Sequence, residues 1–323
     1  MANVHGISDM RNAGGPGRNP NMVPFNIGGI GGNQRTDNIP FLSILSYVYY
    51  LSLLDNNRAA GGDPRKETVI DMCKLTCCPS LTMQSFIMNI TIAHIAIFII
   101  TLFWKGIMVP HPDFLTPNYE TLDDFGNRNP YKIRYGFQIW RFVTPVFLHA
   151  NFLHLFFNCL SQLIIGSQIE KVVGTGKTVI IYFMCALGGN LFGALSSDAP
   201  AVGASTAISG LLGCFIGFII VNWHRIDPNT RCFMICMVSF VVIINILFGV
   251  GGQGGGRTNQ VDSSGHLGGL ISGVIVGMAL VRPNGGVSGD YETKVRTYGY
   301  ILSFLYFIGC AVLFFVVGTS TGS

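Results

Sequence analysis

What most limits the fold of this chain is a succession of apolar runs separated by short polar stretches. Seven runs reach the length needed to cross a bilayer: residues 85–104, 147–169, 178–197, 203–223, 232–250, 265–281 and 298–318. The sixth, at 17 residues, sits at the lower limit of about 17–25 for a spanning helix. Inside a hydrocarbon layer every backbone N–H and C=O has to be satisfied within the protein, and a single segment does that only as a helix. The expected fold class is therefore all-α, a polytopic membrane helix bundle. Charge content agrees, since only 11% of residues are charged against about 25% in a soluble domain. A net charge of +4, with no basic patch interleaved with aromatics, gives no reason to expect a nucleic-acid partner.

The flanks read differently. Residues 1–40 are rich in Gly, Asn and Pro and are expected to be disordered. They lack an apolar core and carry Asp9 and Asp37, so neither a signal nor a transit peptide is expected. Residues 41–54 are apolar but too short to span, which suits a helix lying at the interface. Cys77 and Cys78 precede the first run and read equally as palmitoylation sites or as two free thiols. Cysteines within the runs (Cys159, Cys185, Cys214, Cys232, Cys236, Cys310) are small apolar fillers. Cys232 and Cys236 share a helix face, but the spacings give no zinc site and no disulfide framework. No cofactor or metal is expected.

Orientation follows from lysine and arginine placement. With the amino terminus in the cytosol, inner segments hold 14 of the 20. The carboxyl end then lies outside. Segment 105–146 becomes an outer loop whose aromatics (Phe114, Tyr119, Phe125, Tyr131, Tyr135, Phe137, Trp140) suit partial embedding at the headgroup level.

In this topology the second, fourth and sixth runs all begin at the outer face, and their beginnings hold the most reactive side chains. These are His149, His154 and Asn158 on the second, Ser205 on the fourth and His266 on the sixth. Polar groups in spans are costly and by default suggest function. On the fourth run Ser205, Ser209, Gly213 and Gly217 fall four apart, and on the sixth so do Gly265, Gly269, Gly273 and Gly277. Two such stripes are expected to pack backbone to backbone. A hydroxyl needs a base to become a nucleophile, and an imidazole suits that task. His154 and Asn158, four apart, are both able to donate to a developing oxyanion. The plainer readings are that Ser205 bonds to a carbonyl one turn back, that His149 caps the second span or meets a headgroup, and that His94, alone on the first span, serves packing. Two lookalikes fail: Gly203-x-Ser205-x-Ala207 lacks the last glycine of a nucleophile elbow, and the segment ending Gly176-Lys177-Thr178 has Lys171 where a phosphate loop needs glycine.

Taken together, Trp140-Arg141, His149-Ala-Asn-Phe-Leu-His154-Leu-Phe-Phe-Asn158, Glu170-Lys171 with Gly174, Gly203-Ala-Ser205-Thr206 and Gly265-His266-Leu-Gly-Gly269 resemble the rhomboid intramembrane serine proteases. The resemblance covers about residues 85–281. It implies a rhomboid-like six-helix core (85–281) between a cytosolic amino-terminal region (1–84) and a linker with a seventh span and short outer tail (282–323). It implies a Ser–His dyad, with Ser205 as nucleophile and His266 as base. The oxyanion hole would be His154, Asn158 and the backbone N–H of Ser205. Trp140 and Arg141 would brace the outer loop, and Glu170 would hold the cytosolic end of the second span. His149, Gly203, Gly265 and Gly269 would support the site. Thr206 stands where many members have glycine, which adds bulk beside the nucleophile. Substrates would be single-span transmembrane proteins in contact with membrane lipid, cut near the outer face beside a small residue. The six-plus-one layout resembles members of the plasma membrane or Golgi and secretory pathway. The glycine-rich stretch 249–265 reads as a mobile cover or as a slack linker. Two other functions remain open on the residues: a catalytically inactive relative that binds membrane helices and directs their trafficking, and a transporter, for which no inverted repeat is visible. Nothing in the sequence fixes the oligomeric state.

Overall fold

Each of the seven apolar runs carries a helix. The computed structural model describes residues 84–108, 114–251, 262–283 and 287–317. The arm at 1–40, the segment at 41–54, Cys77 and Cys78, most of the glycine-rich stretch before His266 and the tail after the last helix lie outside these residues.

In chain order the helices are α1 (Phe86–Trp104), α2 (Tyr119–Asp124), α3 (Pro130–Gly136), α4 (Phe152–Ser161), α5 (Ser167–Val173), α6 (Thr175–Ser196), α7 (Ser205–Val221), α8 (Pro228–Gly251), α9 (Ser263–Leu280) and α10 (Asp290–Val312). A π-turn at Gln162–Gly166 joins α4 to α5, so that Phe152–Val173 reads as one 22-residue span. Five segments are long and apolar enough to cross a membrane: α1, α4 with α5, α6, α9 and α10. α7 is equally apolar but only 17 residues long. Among the described residues there is no β-strand, only the isolated bridges Ile107↔Pro117 and Arg128↔Ala201. The protein is an all-α, multi-pass membrane bundle.

Most helix starts differ from the sequence expectation, three of them with a clear local cause. The second span starts at Phe152 rather than 147, because Pro145 lies in a 3-10 turn, Thr144–Phe147. His149 therefore lies ahead of the helix, and the cap is Asn151, whose side chain accepts from His154 N at 2.8 Å. The fourth span starts at Ser205 rather than 203, because Gly203 has φ +131°, a region closed to helices and favourable only to glycine. The last helix begins eight residues earlier than the apolar run, at Asp290. Hydropathy marks only what lipid can dehydrate, whereas a helix continues into water wherever its end is capped. Here Gly289 N donates to Glu292 at 2.9 Å, and Arg225 Nε donates to the same carboxylate at 2.6 Å.

α9 is the central helix, packed closely on α7 and α6. Its glycines meet α7 directly: a Cβ on Gly269 would lie 2.2 Å from Thr206 O, one on Gly273 2.0 Å from Gly210 O, and one on Gly277 2.9 Å from the Cα of Cys214. From the other side, Cβ atoms on Gly213 and Gly217 would lie 2.2 and 2.8 Å from backbone atoms of α9. The line of contact along α7 thus reads Thr206, Gly210, Gly213, Gly217, which corrects the expected 205-209-213-217 stripe. Strict steps of four drift around a helix of 3.6 residues per turn, so a contact line between crossing helices mixes threes and fours. Gly265, the first glycine of the other stripe, faces α6 instead: a Cβ on Gly189 would lie 2.7 Å from Gly265 O.

The end away from Ser205 is tied by Glu170, in the first turn of α5. Its carboxylate accepts from Ser85 Oγ (2.7 Å), Phe86 N (2.8 Å), Ile87 N (3.1 Å) and Thr175 Oγ1 (2.8 Å), capping α1 and holding the start of α6. Glu170→Ala leaves those donors unpaired and should destabilise the fold by about 1–3 kcal/mol; an unchanged thermal midpoint in detergent would show the cap to be dispensable. Mid-bundle, Tyr182 OH donates to Gln162 Oε1 (2.6 Å) and Gln162 Nε2 to Thr91 Oγ1 (2.7 Å), joining α6, the π-turn and α1. The seventh span is packed on the rest. Tyr306 OH lies 3.1 Å from the carbonyls of both Gly188 and Gly268, and Arg134 Nε donates to Phe314 O at 3.0 Å with its guanidinium 4.4 Å over that ring.

Candidate active site

The starts of α4, α7 and α9 meet at one end of the bundle. Ser205 is the first residue of α7 and His266 lies in the first turn of α9. Their side chains touch, with Ser205 Oγ 2.7 Å from Nε2 of His266. When the hydroxyl donates in this contact, Nε2 is the free lone pair and the ring hydrogen sits on Nδ1.

His154 closes the third side. Ala150 N–H donates to its Nδ1 at 3.3 Å, which puts the ring hydrogen of the neutral imidazole on Nε2. That nitrogen borders Gly203 and Ser205: a Cβ on Gly203 would lie 2.9 Å from His154 Nε2 and 3.4 Å from Ser205 Oγ. Glycine is thus required at 203 twice over, by its positive φ and by the space it leaves for an N–H facing the serine. Gly203 N also donates to Pro145 O at 2.9 Å, tying this turn to the segment ahead of α4.

Asn158 lies one turn further along α4 and is buried. Its Nδ2 donates to His154 O at 2.8 Å, and its Oδ1 has no hydrogen-bond partner among the described residues. One amide hydrogen remains to donate elsewhere. His149 makes no hydrogen bond to Ser205, and neither of its ring nitrogens has a hydrogen-bond partner among the described residues. It is buried between two other imidazoles, with ring centroids 5.2 Å from His94 and 5.4 Å from His154. The histidine of the first span therefore packs into the support of the site.

The remaining site candidates divide. Arg141 is buried and organises the segment before α4, donating to Gln138 Oε1 (2.6 Å), Asn127 O (2.9 Å), Asn127 Oδ1 (2.8 Å) and Asp123 O (2.8 Å). Trp140 turns outward, with 54% of its surface exposed. Tyr131, Tyr135 and Phe137 are likewise exposed. Glu170 sits at the opposite end of the bundle, as described. Thr206 does not crowd the serine. Its buried side chain packs towards Gly189 of α6, where an added Cβ would lie 2.8 Å from Thr206 Cβ.

Two side chains beside the site escape a reading of spans. Asp262 caps α9, accepting from Gly265 N at 3.1 Å and Ser264 Oγ at 3.2 Å, and it pairs with Arg128, which is 1% exposed. An Asp just ahead of a helix is a start signal that the sequence does contain. Arg128, 134 residues away, carries no comparable signal.

A rhomboid domain matches residues 136–283 of the chain. Over 227 residues the chain is 36% identical to rhomboid-like protease 1 of Toxoplasma gondii, covering 69% of this chain and 72% of that protein. It is 30% identical over 243 residues to rhomboid-like protease 2 of the same organism, covering 74% and 81%. With rhomboid protease GluP of Bacillus subtilis (strain 168) it shares 32% identity over 195 residues, 59% of this chain and 36% of that one.

Proposed function

Because the chain belongs to the rhomboid family, we propose that it is an intramembrane serine endopeptidase working through Ser205 and His266. The observation that carries this is the 2.7 Å contact between Oγ and Nε2. Ser205 Oγ attacks the scissile carbonyl carbon while its proton passes to Nε2 of His266. His154 Nε2–H, the free amide hydrogen of Asn158 and the backbone N–H of Ser205 receive the oxyanion. The last is among the first-turn donors a helix leaves unpaired. His266 then gives its proton to the departing amine, and a water activated by the same imidazole releases the acyl group from Ser205.

The length of α7 explains how such chemistry reaches below a membrane surface. Seventeen residues span about 25 Å, short of the ~30 Å hydrocarbon core, so with its far end at one interface α7 begins inside the other. Substrates reaching that depth are single-span transmembrane proteins whose helix unwinds beside a small residue. The amino terminus lies in the cytosol and the site opens to the outer side, at the plasma membrane or in the Golgi and secretory pathway.

The test is labelling by a fluorophosphonate, in which Oγ displaces fluoride from phosphorus and which therefore reports an activated serine independently of substrate. Labelling of the full-length protein in detergent, absent from Ser205→Ala, is the expected result. Failure of the wild type to label would leave a silent relative that binds membrane helices. Asn158→Ala should retain labelling but slow cleavage by roughly 10²–10³-fold, the range for loss of one oxyanion donor; an unchanged rate would take Asn158 out of that role.

A further inference from the structure

We propose that Arg128 and Asp262 form a latch that sets the separation of Ser205 and His266, making Arg128 a positioning residue for the reaction. The proposal rests on the reading of those two residues as nucleophile and base. One residue here holds both halves of the site by different atoms. The backbone of Arg128 pairs in both directions with Ala201, Arg128 N to Ala201 O at 2.9 Å and Ala201 N to Arg128 O at 3.0 Å. Ala201 lies four residues ahead of Ser205, in the segment that leads into α7. The guanidinium of Arg128 meets the carboxylate of Asp262 with both terminal nitrogens, Nη1 to Oδ2 and Nη2 to Oδ1, the latter at 3.1 Å. Asp262 lies four residues ahead of His266 and fixes the first turn of α9 through Gly265 N, Ser264 Oγ and its own carbonyl, which accepts from His266 N at 3.0 Å.

The carboxylate is thus spent on Arg128 and the helix start rather than on the imidazole, so Asp262 is not a third member of a catalytic triad. A bidentate ion pair whose guanidinium is buried gives directional hold that a single contact lacks. The fold makes room for it with two glycines. A Cβ on Gly193 of α6 would lie 1.9 Å from Arg128 Nη1, and one on Gly265 would lie 2.0 Å from Asp262 Oδ2. The 2.7 Å contact of Ser205 with His266 is soft by itself; the latch closes a second path between the same two helix starts.

The experiment compares Arg128→Met, Arg128→Lys, Asp262→Asn and the double variant Arg128→Met/Asp262→Asn with the full-length wild type. It reads kcat and KM on a single-span substrate, fluorophosphonate labelling rate and thermal midpoint. Asparagine keeps the helix cap and removes only the charge. Arg128→Met is expected to lower kcat and labelling rate by up to ~10²-fold, the scale of a misplacement near 1 Å, with KM within about twofold of wild type. Arg128→Lys should recover part of the loss, and the double variant should be no slower than Arg128→Met, as for two residues acting through one contact. Should Arg128→Met fail to fold, the double variant, which leaves no carboxylate unpaired at this place, takes its place against Asp262→Asn. Folded single variants with kcat near wild type, or losses that multiply in the double variant, would overturn the latch. A wild type that takes no label would overturn the dyad reading and the positioning role with it, while the midpoints would still report whether the pair is coupled.

Discussion

Ser205→Ala and His266→Ala are each expected to abolish cleavage of a tagged single-span substrate, by roughly 10⁴-fold or more, and the double variant to be no worse than either. In the proposed mechanism the hydroxyl and the imidazole act as one unit. An alcohol without its base stays protonated, and a base without its alcohol has nothing to deprotonate at that position. Neither change should unsettle the bundle, because the Ser205 side chain is half-buried and bonds to His266. Thermal midpoints close to wild type are therefore part of the expected result. Measurement is by appearance of the shed ectodomain beside loss of fluorophosphonate label. Cleavage that persists undiminished in Ser205→Ala, or losses that multiply in the double variant, would mean that the nucleophile is elsewhere.

The largest structural effect should come from one methyl group at the seam of the two central helices. Gly273→Ala would put a Cβ 2.0 Å from Gly210 O and 2.7 Å from that residue's carbonyl carbon and Cα. All three are backbone atoms of α7, so no side chain is able to turn aside and the helices must part. Overpacking of this kind typically costs about 1–3 kcal/mol, sometimes more. Activity should fall further than stability, because Ser205 and His266 ride on the two helices that separate. Gly176→Ala is the matched control, since nothing lies within 4 Å of the added atom and its φ is not in the positive region. Thermal midpoint and kcat measured together decide the matter: equal behaviour of the two variants would mean that α7 and α9 do not pack as closely as described.

Much of this arrangement is legible in the sequence. Lipid leaves a span little choice but helix, so the seven apolar runs mark where helices lie. Cheap polar placements are rare in such runs, so Ser205, His154, Asn158 and His266 stand out as a set. The glycines four apart on the sixth run announce a close helix neighbour. Boundaries were less legible. Pro145 and the positive φ of Gly203 move two starts inward, and a charged cap at Glu292 lets the last helix start well before its apolar run.

The sequence by itself determined the fold class, where the apolar helices lie and the chemical types gathered near one end, because desolvation of backbone and polar groups acts on each segment locally. Only the tertiary structure decided which glycines of α7 face α9, that Thr206 turns to Gly189 and away from the serine, and that Arg128 ties the approach to Ser205 to the cap of the His266 helix. Those outcomes depend on helix rotation and crossing, and on a pair 134 residues apart. Distances of that kind are set by how rigid helices pack, and no local pattern of residues encodes them.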